Sequence, residues 1–156
     1  MKSKKGDFGQ IEKIYSDPQA FKARALEEIK RSKRYATFVS MVSVDLSHID
    51  NVDEIENFAS FDEFMTSVRT LVKNSIRETD LVSDSNRHKV LLLLMDTSKE
   101  GALALAQRLK KTLRYFICGN IRSPINWRVP IKEYSFPSGT GDDFNIQSFL
   151  DKIDGE

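Results

Sequence analysis

The spacing of apolar residues along the chain breaks it into short, distinct segments. "SDPQAF" predicts a helix start, with Asp17 as N-cap and Pro18 at the first helical position. Phe21, Ala25, Leu26 and Ile29 then form a stripe at helical spacing that fades near Arg34. "TFVSMVSVDL" is β-branched and apolar, so Thr37 to Leu46 is predicted as a strand. "SHIDNVDEIENFAS" is polar and turn-rich, a loop or short helical segment. Phe61, Phe64, Met65, Val68, Leu71, Val72 and Ile76 follow helical spacing and predict a long helix to about Arg77. "DLVSDSNRHKVLLLLMD" predicts two strands joined by a polar turn. The next helix, capped by Thr97 or Ser98, turns Ala102, Ala106, Leu109, Leu113 and Phe116 inward. "INWRVPIKEYSFP" is a further strand, with Pro130 pointing to an edge or a bulge. "SGTGDD" reads as a turn and "FNIQSFLDKI" as a last short helix. Near the start, Ile11, Ile14 and Tyr15 suit a short helix or an ordered arm. The order, αβααββαβ-like, implies an α+β sandwich, ferredoxin-like, with a central mainly antiparallel sheet flanked by helices.

Composition narrows the function. The 156 residues suit one compact domain, and 40% hydrophobic with 30% charged residues supports a real core. Residues 1–16 read as an N-terminal arm or linker and 17–156 as the domain. A net charge of +1, from 24 basic and 23 acidic side chains, argues against a nucleic-acid partner. Cys118 is the only cysteine, which excludes an intrachain disulfide and fits the cytoplasm. "MKSKKGDFGQ" lacks a following apolar region, and "VLLLLM" is far below the roughly 20 residues of a membrane helix. A segment of a larger, anchored protein is equally consistent with these properties.

Some chemistry-bearing residues have simple readings. His48 and His88 fall in separate loops without a cysteine cluster and read as loop histidines, so no metal site and no cofactor is assigned. Trp127 reads as strand packing, and "KRSKRY" (Lys30–Tyr35) as a solvated helix end.

Several segments in order carry a further signal. "EEIKRSKRYATFVSMVSVDLSHID", Asp62, "RETDLV" and "VLLLLMDTSKEGALALAQRL" follow one another at spacings that resemble the GGDEF domain of diguanylate cyclases, a bacterial signalling family, from about Phe21 to Leu150. The resemblance implies a nucleotide-cyclase-like fold. It places the five signature positions at Asn86, Arg87, His88, Lys89 and Val90, none of which matches. The family joins two GTP molecules into cyclic di-GMP, with Mg²⁺ held by carboxylates and a turn bare of side chains against the phosphates. Here the metal-ligand position Asp45 persists, and Asp62 falls on the Asp of the family's "GD". The second acid of the family's "DLD" is Ser47, its guanine-contacting Asn is Asp53, and the signature acids are His88 and Lys89. A lysine repels Mg²⁺, and histidine ligates so hard an ion poorly. The resemblance thus implies a degenerate domain that is not an enzyme. Without it, the turn reads as an exposed hairpin, Asp45 as a strand-end acid held by backbone donors, and Asp62 as a first-turn acid favoured by the helix dipole.

The family's product-binding inhibitory site, R-x-x-D joined by an arginine of the next helix, falls on Arg77, Asp80 and Arg108. An arginine can fork onto guanine O6 and N7 or onto phosphate, and an aspartate can accept from guanine N1 and N2. The three-residue spacing puts Arg77 and Asp80 on one side of the last helical turn, where they can equally pair with each other. Two readings of function stand. One is an inactive regulatory or sensory domain that binds cyclic di-GMP. The other is a protein-interaction or dimerisation module, with a protein partner or a second copy and no nucleotide.

Overall fold

The computed structural model describes residues 14–49, 55–84, 87–122 and 129–137. The "SGTGDD" turn, the "FNIQSFLDKI" helix, Trp127, Asp53 and Asn86 lie outside these residues.

Five strands form one sheet: β1 (Ile14–Tyr15), β2 (Val39–Asp45), β3 (Leu81–Ser83), β4 (Lys89–Met95) and β5 (Ile131–Phe136), in the order β1-β3-β4-β2-β5. β1 runs parallel to β3, and the other pairings among the described residues are antiparallel. Ile14 and Tyr15 are therefore sheet residues rather than part of a helix. The helical spacing rests on Ile11, which lies outside the described residues, and two adjacent apolar residues fit either element when seen alone. Pro130 stands immediately before β5, an edge strand among the described residues.

Among the described residues, three α-helices cover the sheet: α1 (Pro18–Tyr35), α2 (Phe61–Lys73) and α3 (Lys99–Asn120). Alternation along the strands divides the core in two. Val39, Met41, Leu91, Leu93 and Met95 meet Phe21, Ala25 and Ile29 of α1. Val42, Val44, Val90, Leu92 and Leu94 face the other way, onto α2 and α3. The unbroken apolar run of β4 follows, since both of its faces are covered. A ring cluster fixes α2 to α3: Phe64 lies 5.7 Å from Phe58 and 5.5 Å from Phe116, centroid to centroid. Among the described residues, no helix is long and apolar enough to cross a membrane.

The helix ends follow local chemistry. The Asp17 side chain accepts from the Gln19 N–H at 3.0 Å, with Pro18 at N1. Ser60 caps α2 and Ser98 caps α3, each accepting from the backbone N–H three residues on. α1 ends at Ala36, whose φ of 56° is left-handed. A side chain there is strained relative to glycine.

Two stability outcomes test this core. Phe64→Ala is expected to cost about 3–5 kcal/mol in urea unfolding, whereas Tyr115→Ala, at an 85% exposed position, stays within about 0.5 kcal/mol. Ala36→Gly is expected to stabilise the chain by up to about 1 kcal/mol, because glycine removes the Cβ penalty at the helix end.

Candidate functional site

The two ends of the β2–β4 ladder carry different chemistry. One end holds the Val39↔Met95 pair and the other the Asp45↔Lys89 pair. They lie six positions apart along β2, roughly 20 Å of strand.

At the Met95 end, α2 stops at Lys73, short of the predicted Arg77. Asn74 and Ser75 then bend the chain, and the Ser75 hydroxyl returns to the Leu71 carbonyl at 2.9 Å. Ile76 still packs on the core from within this turn, which is why its spacing imitates one more helical turn. Arg77 and Asp80 consequently face each other across a turn, closed by the Asp80 N–H on the Arg77 carbonyl at 3.0 Å, and not along a helix.

Asp80 is only 3% exposed, and both carboxylate oxygens are engaged. Oδ1 accepts from the Met95 N–H and Oδ2 from the Arg77 N–H, each at 3.0 Å. Leu81 is already paired with Leu93, so the carboxylate continues the ladder where a strand carbonyl would otherwise receive Met95. The Arg77 guanidinium reaches Oδ2 from 3.5 Å and donates to the Met95 carbonyl and to Thr97 Oγ1, the latter at 2.7 Å. Its side chain nevertheless stays 57% exposed. Arg108 comes from the exposed flank of α3. Arg77, Asp80 and Arg108 all line one cleft of about 300 Å³, together with Asp96, Thr97 and Ser98. The resemblance to the GGDEF family names the first three. Asp96 and Thr97 it missed, although their place between the end of β4 and the cap of α3 puts them beside any site at this strand end.

At the Lys89 end, the signature positions fold back onto α2. Arg87 Nε bonds Asp62 Oδ1 at 3.1 Å, and its guanidinium lies over the Phe61 ring at 5.0 Å. The His88 ring sits 5.2 Å from the same phenyl group. The His88 carbonyl accepts from the Leu46 N–H at 2.8 Å, which extends the β2–β4 junction. Lys89 is 7% exposed and Val90 fully buried, so only Arg87 of the described turn residues stands in solvent. Asp62 sits in the first turn of α2, as its dipole reading expects.

Asp45 faces Lys89 across the ladder. Partial burial opposes its charge. The Ser47 N–H, at 2.9 Å from Oδ1, and the Ser47 hydroxyl, with Lys89 and His48 nearby, outweigh that and hold the carboxyl below its usual value. Asp45 is thus the strand-end acid with a backbone donor that the residues alone suggest.

Asp80→Ala is expected to destabilise by about 1–3 kcal/mol for each buried N–H it leaves unpaired, measured by urea unfolding. Asp80→Asn retains one acceptor oxygen and loses less. For Asp45, the folded-state pKa is depressed, so the unfolded chain takes up the proton first. Its contribution to stability is complete above about pH 4 and falls away as pH drops below that. Asp45→Asn is expected to flatten this part of the acid unfolding profile and to leave the curve's shape near neutrality unchanged.

No protein-family model and no curated relative matches the chain. Solved structures do. The FimX GGDEF domain of Pseudomonas aeruginosa superposes with a TM-score of 0.64 at 12% identity, over 88% of this chain and 86% of that one. A DGC protein from Thermotoga maritima gives 0.63 at 15% identity, over 94% and 95%. The diguanylate cyclase SiaD of Pseudomonas aeruginosa, solved with its activator SiaC, gives 0.57 at 17% identity, over 88% of this chain and 54% of that one. The five-stranded, three-helix α+β architecture described above is the GGDEF-domain fold.

Proposed function

We propose that the chain is a catalytically inactive GGDEF-like regulatory domain of the cytoplasm that binds cyclic di-GMP in the Arg77–Arg108 cleft. The observation that carries the binding half is the cleft itself. Two arginines from different elements, a turn and a helix, border one concavity beside the N-terminus of α3. Guanidinium groups and a helix N-terminus both favour phosphate oxygens. Arg108 has no hydrogen-bond or ion-pair partner among the described residues, so its charge is available to a ligand.

Inactivity rests on the other end of the ladder. A magnesium-loaded triphosphate needs several carboxylates and bare backbone. Asp45 stands opposite the buried Lys89, and one of its oxygens already accepts from Ser47. Arg87 and His88 fill the space over Phe61. This donor set does not fit Mg²⁺, and no catalytic step is assigned to it.

A second reading, a protein-interaction or dimerisation module, draws on a groove of about 820 Å³ between α2 and α3, bordered by Leu71, Phe116 and the 85% exposed Tyr115. SiaD, with the same fold, is solved with a protein activator.

Isothermal calorimetry separates the two. Cyclic di-GMP is expected to bind, and Arg77→Ala or Arg108→Ala to weaken binding at least tenfold with the fold intact. Absence of heat at high micromolar ligand leaves the interaction module as the better account. Incubation with GTP and Mg²⁺ is expected to yield no cyclic dinucleotide, and turnover that depends on Asp45 would contradict the assignment of inactivity.

A further inference from the structure

The exposed face of α3 carries charges that the fold does not use. Between Gly101 and Asn120 the helix has Arg108, Lys110, Lys111 and Arg114, all exposed, and no acidic side chain. Their spacings of three and four residues bring like charges together, which repel and stabilise nothing. The helix dipole favours cations in the last turn, and the last turn of α3 has none. Among the described residues, no hydrogen-bond or ion-pair partner meets these cations.

The same face borders the groove between α2 and α3. Lys111, Tyr115 and Cys118 follow one another along it at helical spacing, opposite Leu71 of α2. Phe116 gives it a firm floor, because its ring packs 6.0 Å from Phe58 and 5.5 Å from Phe64. Gly119 also lines the groove, and a Cβ built there would meet nothing within 4 Å. Its backbone is not left-handed, so neither a turn nor close packing calls for a glycine in this helix, where glycine is a poor helix former. The missing side chain leaves room for an outside group to approach the helix backbone.

We propose that this groove docks an acidic amphipathic segment of a partner protein, with an apolar side chain seated on Leu71, Tyr115 and Phe116 and carboxylates set against Lys111 and Arg114. The proposal rests on the interaction reading of the groove given above and is independent of the nucleotide cleft. Charge complementarity selects the occupant. Membranes and nucleic acids are anionic too, but a groove with an aromatic floor takes a ridge of apolar side chains, as an amphipathic helix presents it. A second copy of the chain is a poorer match, since Glu56 and Asp62, exposed acids before and within the first turn of α2, already pair with Arg122 and Arg87.

The test uses the full chain and a fluorescent helical peptide with leucine at i, i+4 and i+7 and glutamate on its other faces. Its lysine counterpart, a single-stranded oligothymidine and phosphatidylglycerol vesicles serve as controls. Anisotropy is expected to show saturable binding of the glutamate peptide alone, weakening as salt is raised. Bound peptide is expected to slow iodoacetamide alkylation of Cys118, the only cysteine of the chain, which lines the groove. Tyr115→Ala and Lys111→Glu are each expected to weaken binding about tenfold, and Gly119→Gln to weaken it without lowering the melting temperature. Equal binding of both peptides, with Lys111→Glu without effect, would overturn the acidic partner and leave the groove reading standing. Preference for the oligonucleotide or the vesicles, or a dimer in light scattering that Tyr115→Ala returns to monomer, would likewise overturn it. If neither peptide binds or protects Cys118, the groove reading fails, and this inference with it.

Discussion

One buried carboxylate sets the geometry of the cleft. Asp80 receives the Met95 N–H on one oxygen and the Arg77 N–H on the other. The first bond extends the β3–β4 ladder past its last paired residue, and the second closes the turn that follows α2. Each would be a modest interaction at the surface, but here their loss would strand donors inside the protein. Because the turn is tied down, the Arg77 guanidinium can lie across the Met95 carbonyl and Thr97. That in turn places it on the same concavity as Arg108, which α3 brings from a distant part of the chain.

The sheet thus separates two chemistries by about 20 Å of strand. At the Lys89 end, charges are consumed internally: Asp45 opposite Lys89, Asp62 with Arg87, and Arg87 over Phe61. At the Met95 end, the internal demand is met by Asp80, and Arg108 and Asp96 remain directed to solvent. An aspartate accommodates the left-handed turn after β4 and adds a charge that the turn does not require.

Local signals in the sequence were enough for most elements. Asp17–Pro18 marks the start of α1, and the Phe61 to Val72 stripe marks α2. The order of segments pointed to the fold that solved GGDEF domains share. The misreadings share one cause, which is that tertiary partners decide. Ile76 keeps the helical period while packing from a turn, so its spacing predicts an α2 one turn longer than the helix that forms. Ile14 and Tyr15 became a strand because β3 was there to pair with. Arg77, Asp80 and Arg108 are singled out by the resemblance to the GGDEF family, but the burial of Asp80 depends on Met95, fifteen residues away, and no local pattern records it. Burial of Lys89, a charged residue, was equally invisible, since its polar neighbours in the turn read as solvent-exposed.

The account turns on which end of the sheet meets a ligand. Backbone amide shifts recorded by two-dimensional NMR during titration with cyclic di-GMP would locate it residue by residue. The expected result is a set of shifts at Arg77, Asp96 through Gly101 and Arg108, with Asp45 and Arg87 through Val90 unmoved. Shifts gathered instead at Asp45 and Arg87 through Val90 would contradict it.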